Sequence, residues 1–146
     1  TELMYHPPNP EVDEIAAGYD DDDFFEYIEL KNVGDVTLDL RDLRFTKGID
    51  FDFAAADIVS LSPGGIVLVV KDLGAFEMRY GAGLPVAGQW QASDRLDNGG
   101  ERLKLSFGVI RSRPQCWHWF TIARGSVGML QHFRVQRGLV AKVVVH

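Results

Sequence analysis

The chain predicts an all-β sandwich, and three observations carry that expectation. Short apolar stretches alternate with polar residues at period 2, and turn residues interrupt them about every 8–12 positions. No apolar run reaches the about 18 residues that a membrane-crossing helix needs. With 146 residues, 46% of them apolar and 25% charged, the chain is long enough for one domain, or one domain plus a tail.

Glu2 to Tyr5 predicts a first strand, stopped by His6-Pro7-Pro8-Asn9-Pro10, where prolines fix φ and remove backbone donors. Glu11 to Asp23 predicts a polar, acidic surface loop. Val12, Ile15 and Tyr19 fall at i, i+3 and i+7, enough for a frayed helical turn, but Gly18 and four aspartates follow at once. A mobile insertion is therefore the expectation. Phe24 to Asn32 is the central prediction, an aromatic and β-branched strand closed by Asn32-Val33-Gly34-Asp35. Period 2 puts Phe24, Ile28 and Leu30 on a buried face, and Phe25, Tyr27, Glu29 and Lys31 on the other.

Val36 to Leu40 and Leu43 to Thr46 predict two further strands around the Arg41-Asp42 turn. After Lys47-Gly48, the residues Ile49, Phe51 and Phe53 alternate with Asp50 and Asp52, one face wet and one buried. Ile58 to Leu61 and Ile66 to Val70 flank Ser62-Pro63-Gly64-Gly65, a strong turn signal, and the unbroken second run predicts a strand buried on both sides or one covered by a neighbouring loop. Leu73, Phe76 and Tyr80 predict one or two helical turns ended by Gly81. Gly81 to Gly88 reads as a loop, with short extended pieces at Gln89 to Gln91 and at Arg95-Leu96. Asn98-Gly99 predicts a type I′ turn before a half-buried strand to Phe107.

Charge divides the chain. Residues 1–108 hold all 21 acids and 9 of the 15 Lys and Arg, whereas 109–146 hold the other 6 and no acid. Two domain-level pieces follow: 1–108, a β-sandwich, and 109–146, a basic, atypical tail of uncertain origin. As part of the domain the tail would supply closing strands. As a read-through in the wrong frame it would be exposed, aggregation-prone sequence. The acidic body argues against a nucleic-acid surface. A start at Thr1 without Met predicts a fragment of a larger protein, so a missing signal peptide carries no information. A lone Cys116 excludes an internal disulfide and a cysteine-based zinc site within one chain.

Several motifs in order, Met4-Tyr5-His6-Pro7, Phe25 to Asn32, Val36 to Leu43, Leu61 to Gly65 and Arg95 to Leu103, resemble bacterial lamin-tail domains over about residues 2–108. The resemblance implies an immunoglobulin-like β-sandwich. It also implies a place in large exported or cell-surface proteins, sometimes beside hydrolases or spore-coat-type kinase domains. Such domains continue into a final strand that only Gly108-Val109-Ile110 resembles here, so the closing strand is expected to be incomplete or replaced. No catalytic residues come with the resemblance.

The residues offer few sites. Asp20, Asp21, Asp22 and Asp23 are calcium candidates, but they lack the alternating spacing of a calcium loop, and a solvated acidic loop is the favoured reading. Glu26 shares parity with Ile28 and Leu30. It either lies at the strand mouth or accepts bonds from a loop, Arg95 or Arg102, and a structural role outweighs a catalytic one because no second acid pairs with it. Phe76, Tyr80 and Trp90 either form a platform for a ligand or cap the end of the sandwich. His6 has no ligand-type neighbour, and Cys116-Trp117-His118 is too sparse for a site. Arg124 to Gly128 lacks the first glycine of a nucleophile elbow, and Gly81-Ala82-Gly83 lacks the rest of a dinucleotide fingerprint.

The expected function is thus non-catalytic: a binding or structural module of a larger, exported or cell-surface bacterial protein, with no required cofactor. Its expected partners are other domains of the same polypeptide, or a protein or polysaccharide surface. The alternative is an accessory module of an extracellular hydrolase or spore-coat-kinase-like enzyme that engages substrate or calcium.

Overall fold

The computed structural model describes residues 2–4, 7–97, 102–107, 118–121, 131–135 and 139–145. Strands and short helices follow in the order β1 (Glu2–Met4), α1 (Val12–Ala16), a 3-10 turn (Asp22–Phe25), β2 (Tyr27–Lys31), β3 (Leu38–Asp39), β4 (Leu43–Lys47) and β5 (Ile49–Asp52). A second 3-10 turn (Phe53–Ala55) leads to β6 (Ser60–Leu61), β7 (Ile66–Val70), α2 (Leu73–Tyr80), β8 (Val86–Gln89) and β9 (Arg102–Phe107). In the basic stretch lie β10 (His118–Thr121), β11 (Gln131–Val135) and β12 (Leu139–Val145).

Among the described residues the fold is all-β with few helices. A six-stranded sheet has the order β11-β12-β1-β2-β7-β8, a four-stranded sheet β10-β9-β4-β5, and β3 pairs with β6. Backbone pairing carries the basic stretch into both larger sheets: β12 runs parallel to β1, and β10 antiparallel to β9. No helix among the described residues is long and apolar enough to cross a membrane.

One apolar core joins the sheets. Ile28, Leu30, Val67 and Val69 of β2 and β7 meet Leu43, Phe45, Phe51, Leu103 and Leu105 of β4, β5 and β9, with Phe53, Trp90 and Leu96 from the connections. A second, smaller cluster lies on the other side of the six-stranded sheet, where Tyr27, Leu68 and Val70 pack under Phe76 of α2. The neighbours β2 and β7 are therefore covered on both faces. This explains the unbroken apolar run of β7, as expected, and the aromatic at Tyr27, which alternation had placed on a wetter face.

Helix α2 bridges two parallel strands, as a parallel connection requires. The Asp72 carboxylate accepts the Ala75 N–H at 2.9 Å, and Gly81 ends the helix at φ 93°, a conformation other residues rarely adopt. The Pro63-Gly64-Gly65 turn is also as expected, with Gly64 at φ 75° and its N–H donating to the Asn32 carbonyl at 2.8 Å.

Four boundaries differ from the expectation. The central strand begins at Tyr27, because Asp21 accepts the Asp23 N–H and starts a 3-10 turn that takes in Phe24 and Phe25. The second predicted strand shrinks to Leu38–Asp39, leaving Val36 exposed. The loop Gly81 to Gly88 ends early, since β8 starts at Val86 beside β7. The acidic segment Glu11 to Asp23 contains a helix and is tied to α2 rather than standing free as an insertion.

Candidate functional site

The acidic turn comes first. Asp21, Asp22 and Asp23 bring carboxylate oxygens within 4.8 Å of one another, and Asp20 stands outside that group. Burial, then the charges of Asp21 and Asp22, push the Asp23 carboxyl above its ordinary value, while Arg95 at 3.6 Å pulls the other way. A hollow of about 220 Å³ beside the turn is lined by Asp21, Asp23, Phe24, Lys71, Ser93 and Arg95 among others. Its oxygen-rich wall is already engaged by a side chain. Lys71 Nζ donates to the carbonyl of Ala92 at 2.6 Å and to that of Asp94. A calcium ion wants six to eight oxygens without competing cations. With an ammonium and a guanidinium at the same hollow, the residues fit a hydrated acidic turn better than a calcium cage.

Glu26 is fully buried at the end of the 3-10 turn. Its Oε2 accepts the Leu96 N–H at 3.0 Å, and its carbonyl accepts the Lys71 N–H at 3.0 Å. Of the two sequence-based expectations, the bond from a loop holds and the solvent-facing strand mouth does not. Arg95 reaches Asp23 instead. A carboxylate in this position pins the 91–97 connection onto the sheet.

The aromatic trio separates. Trp90 is 2% exposed in the main core, with its indole N–H donating to the Asp94 carbonyl at 3.1 Å. Phe76 is equally buried, edge-on to Tyr27 at 5.5 Å, and half-buried Tyr80 lies 4.9 Å from Phe76. Their rings fill the ends of the two clusters instead of presenting a flat platform.

Three arrangements were not anticipated. Asn32 is fully buried, and its amide donates to the carbonyls of Val36 and Leu61, both at 2.8 Å, while its Oδ1 accepts the Gly34 N–H at 3.0 Å. Buried Glu14 and largely covered Arg79 form a forked ion pair, Nε to Oε1 at 2.8 Å and Nη2 to Oε2 at 2.6 Å. Arg79 also donates to the Pro8 carbonyl at 3.0 Å, and its guanidinium lies 3.3 Å over the Phe25 ring. A hint existed for Glu14: it stands three residues after Glu11, and its Oε2 accepts the Glu11 N–H at 2.7 Å, half of a capping box. The third is a cleft of about 440 Å³ between β5 and β8, with Asp50, Phe51, Asp52, Asp57, Ala87 and Gly88 in its walls.

Tyr5, His6, Asn98-Gly99, Gly108 to Ile110, Cys116, Trp117 and Arg124 to Gly128 lie outside the described residues, and His118 is described only as backbone of β10. No family model matches the chain, nor does any curated protein or solved structure.

Proposed function

We propose that this chain is a non-catalytic binding and structural module, an immunoglobulin-like β-sandwich of the lamin-tail type, carried by a larger exported or cell-surface bacterial protein. The observation that supports this reading best is how the buried polar side chains are used. Asn32 holds the β2–β3 turn against the end of β6, Glu26 holds the connection into β9, and Glu14 with Arg79 holds α1 to α2. Each ends on backbone or on an opposite charge and maintains a loop position, which is how a scaffold uses buried polar groups. The motif order from Met4 to Leu103 supports the lamin-tail assignment, and that family's setting supports export.

The test combines binding with turnover. Retention of the purified chain on bacterial envelope fractions or insoluble polysaccharide, without hydrolysis or phosphoryl transfer on matched substrates, is the expected result. Turnover that disappears in Glu26→Gln would overturn it.

A further inference from the structure

The two larger sheets end on the same side of the molecule. Strand β5 closes the four-stranded sheet and β8 the six-stranded one, so among the described residues neither has a second strand neighbour. The cleft of about 440 Å³ lies between these two edges. The Asp57 N–H donates across to the Ala87 carbonyl at 2.9 Å. Phe51 forms the floor, and β8 approaches it so closely that a Cβ on Gly88 would sit 3.1 Å from the ring.

Along β5 the Asp50 N–H points away from β4 and is taken by Asp94 Oδ2 at 3.0 Å, so period 2 places the Asp50 carbonyl and the Asp52 N–H on that same outer side, while the Asp52 carbonyl opens the 3-10 turn that follows. Edge groups of this kind are a template for a further strand. The charge of the cleft selects the strand. Asp50, Asp52 and Asp57 stand in its walls against a single cation, Arg44, which is already forked onto Asp50 at 3.0 Å. A second copy of the chain is a poor occupant, because antiparallel pairing of two β5 strands about Phe51 would set Asp50 opposite the copy's Asp52, like charge against like.

Resting on the binding-module reading, we propose that the β5–β8 cleft takes an extended, lysine- or arginine-bearing segment of a partner protein, which adds as a strand to the β5 edge. The Asp50 carbonyl and the Asp52 N–H supply the pairing, the carboxylates of Asp52 and Asp57 hold the cations, and the aliphatic stems lie over Phe51 and Gly88.

The probe is a fluorescein-labelled peptide alternating lysine and valine, titrated against the full chain by anisotropy at about 150 mM salt. Saturable binding is expected, weakened about tenfold in Asp52→Asn/Asp57→Asn. Asparagine keeps an acceptor for the Ala54 N–H, which Asp52 caps at 2.9 Å, and an unchanged melting temperature shows that the variant is folded. Bound peptide should also slow hydrogen exchange at the Asp52 amide. Equal binding of a composition-matched peptide interrupted by proline, an undiminished affinity in the double variant, or unchanged exchange at Asp52 would each overturn strand addition. A peptide that fails to bind while envelope retention persists would sink this inference alone, and loss of both would remove the binding-module reading as well.

Discussion

Arg79 and Glu14, 65 positions apart, meet as a forked ion pair in which both side chains are largely out of water. The guanidinium's hydrogen bonds hold the Glu14 carboxyl down at about 2 against the opposing effect of burial, and Glu14 in turn raises Arg79. This contact turns an acidic segment that looks like a loop into a docked element.

The pair makes a pH prediction. Glu14 has a folded value near 2 against an ordinary 4.5, so its stabilisation is full above pH 4.5 and is lost as pH falls through 2. Asp23 works in the opposite direction, since its raised value costs stability once pH rises past its ordinary range. Urea unfolding of wild type and Glu14→Gln between pH 2 and 6 should therefore converge at the acid end, draw apart up to pH 4.5 and differ by a constant amount above it. Parallel curves at all pH values would contradict the assignment.

Asn32→Ala removes an acceptor and two donations of a fully buried side chain, stranding the buried Leu61 carbonyl and leaving the Val36 carbonyl and the Gly34 N–H, both nearer solvent, without their partner. A loss of about 2–3 kcal/mol in urea unfolding is expected. Asn32→Asp should be as damaging, because it replaces the donating amide with a carboxylate facing two carbonyl oxygens.

Gly74 sits in the first turn of α2, where alanine ordinarily gains up to about 1 kcal/mol. Here a Cβ would collide with the Tyr19 hydroxyl, and the Tyr19 ring is held edge-on to Phe24 and Phe25, so the shift is costly and Gly74→Ala should lower the melting temperature. Removing the hydroxyl with Tyr19→Phe should restore most of the loss. A stabilising Gly74→Ala in the wild-type background would show that Tyr19 does not pack there.

Calcium should bind weakly or not at all, because Lys71 and Arg95 line the hollow beside Asp21 and Asp23. Calorimetry at millimolar calcium is expected to show no saturable heat. Heat that vanishes in Asp21→Asn/Asp23→Asn would reverse this and revive the accessory calcium-module reading.

Much of the fold was legible because its signals are local. Gly64 and Gly81 mark points where the backbone takes positive φ, and only glycine does so cheaply. The parity of Ile49 and Phe51 against Asp50 and Asp52 follows from pleat alone. The five apolar residues of β7 announced cover on both faces before α2 was seen to provide it on one of them.

What the order of residues could not reveal concerns partners distant in the chain. Tyr27 reads as a wet-face residue until α2 folds over it, and Glu26 reads as a strand-mouth acid until the Leu96 N–H arrives from 70 positions away. Glu14 and Arg79 look like ordinary surface charges, because a forked ion pair depends on two helices being brought together by the sheet beneath them. The cleft between β5 and β8 is likewise invisible in sequence, since it exists only where two sheets end side by side. Alternation and turn chemistry act over a few residues and set the strands; which strands end up as edges, and which charges leave water together, is decided only by how the sheets close on their common core.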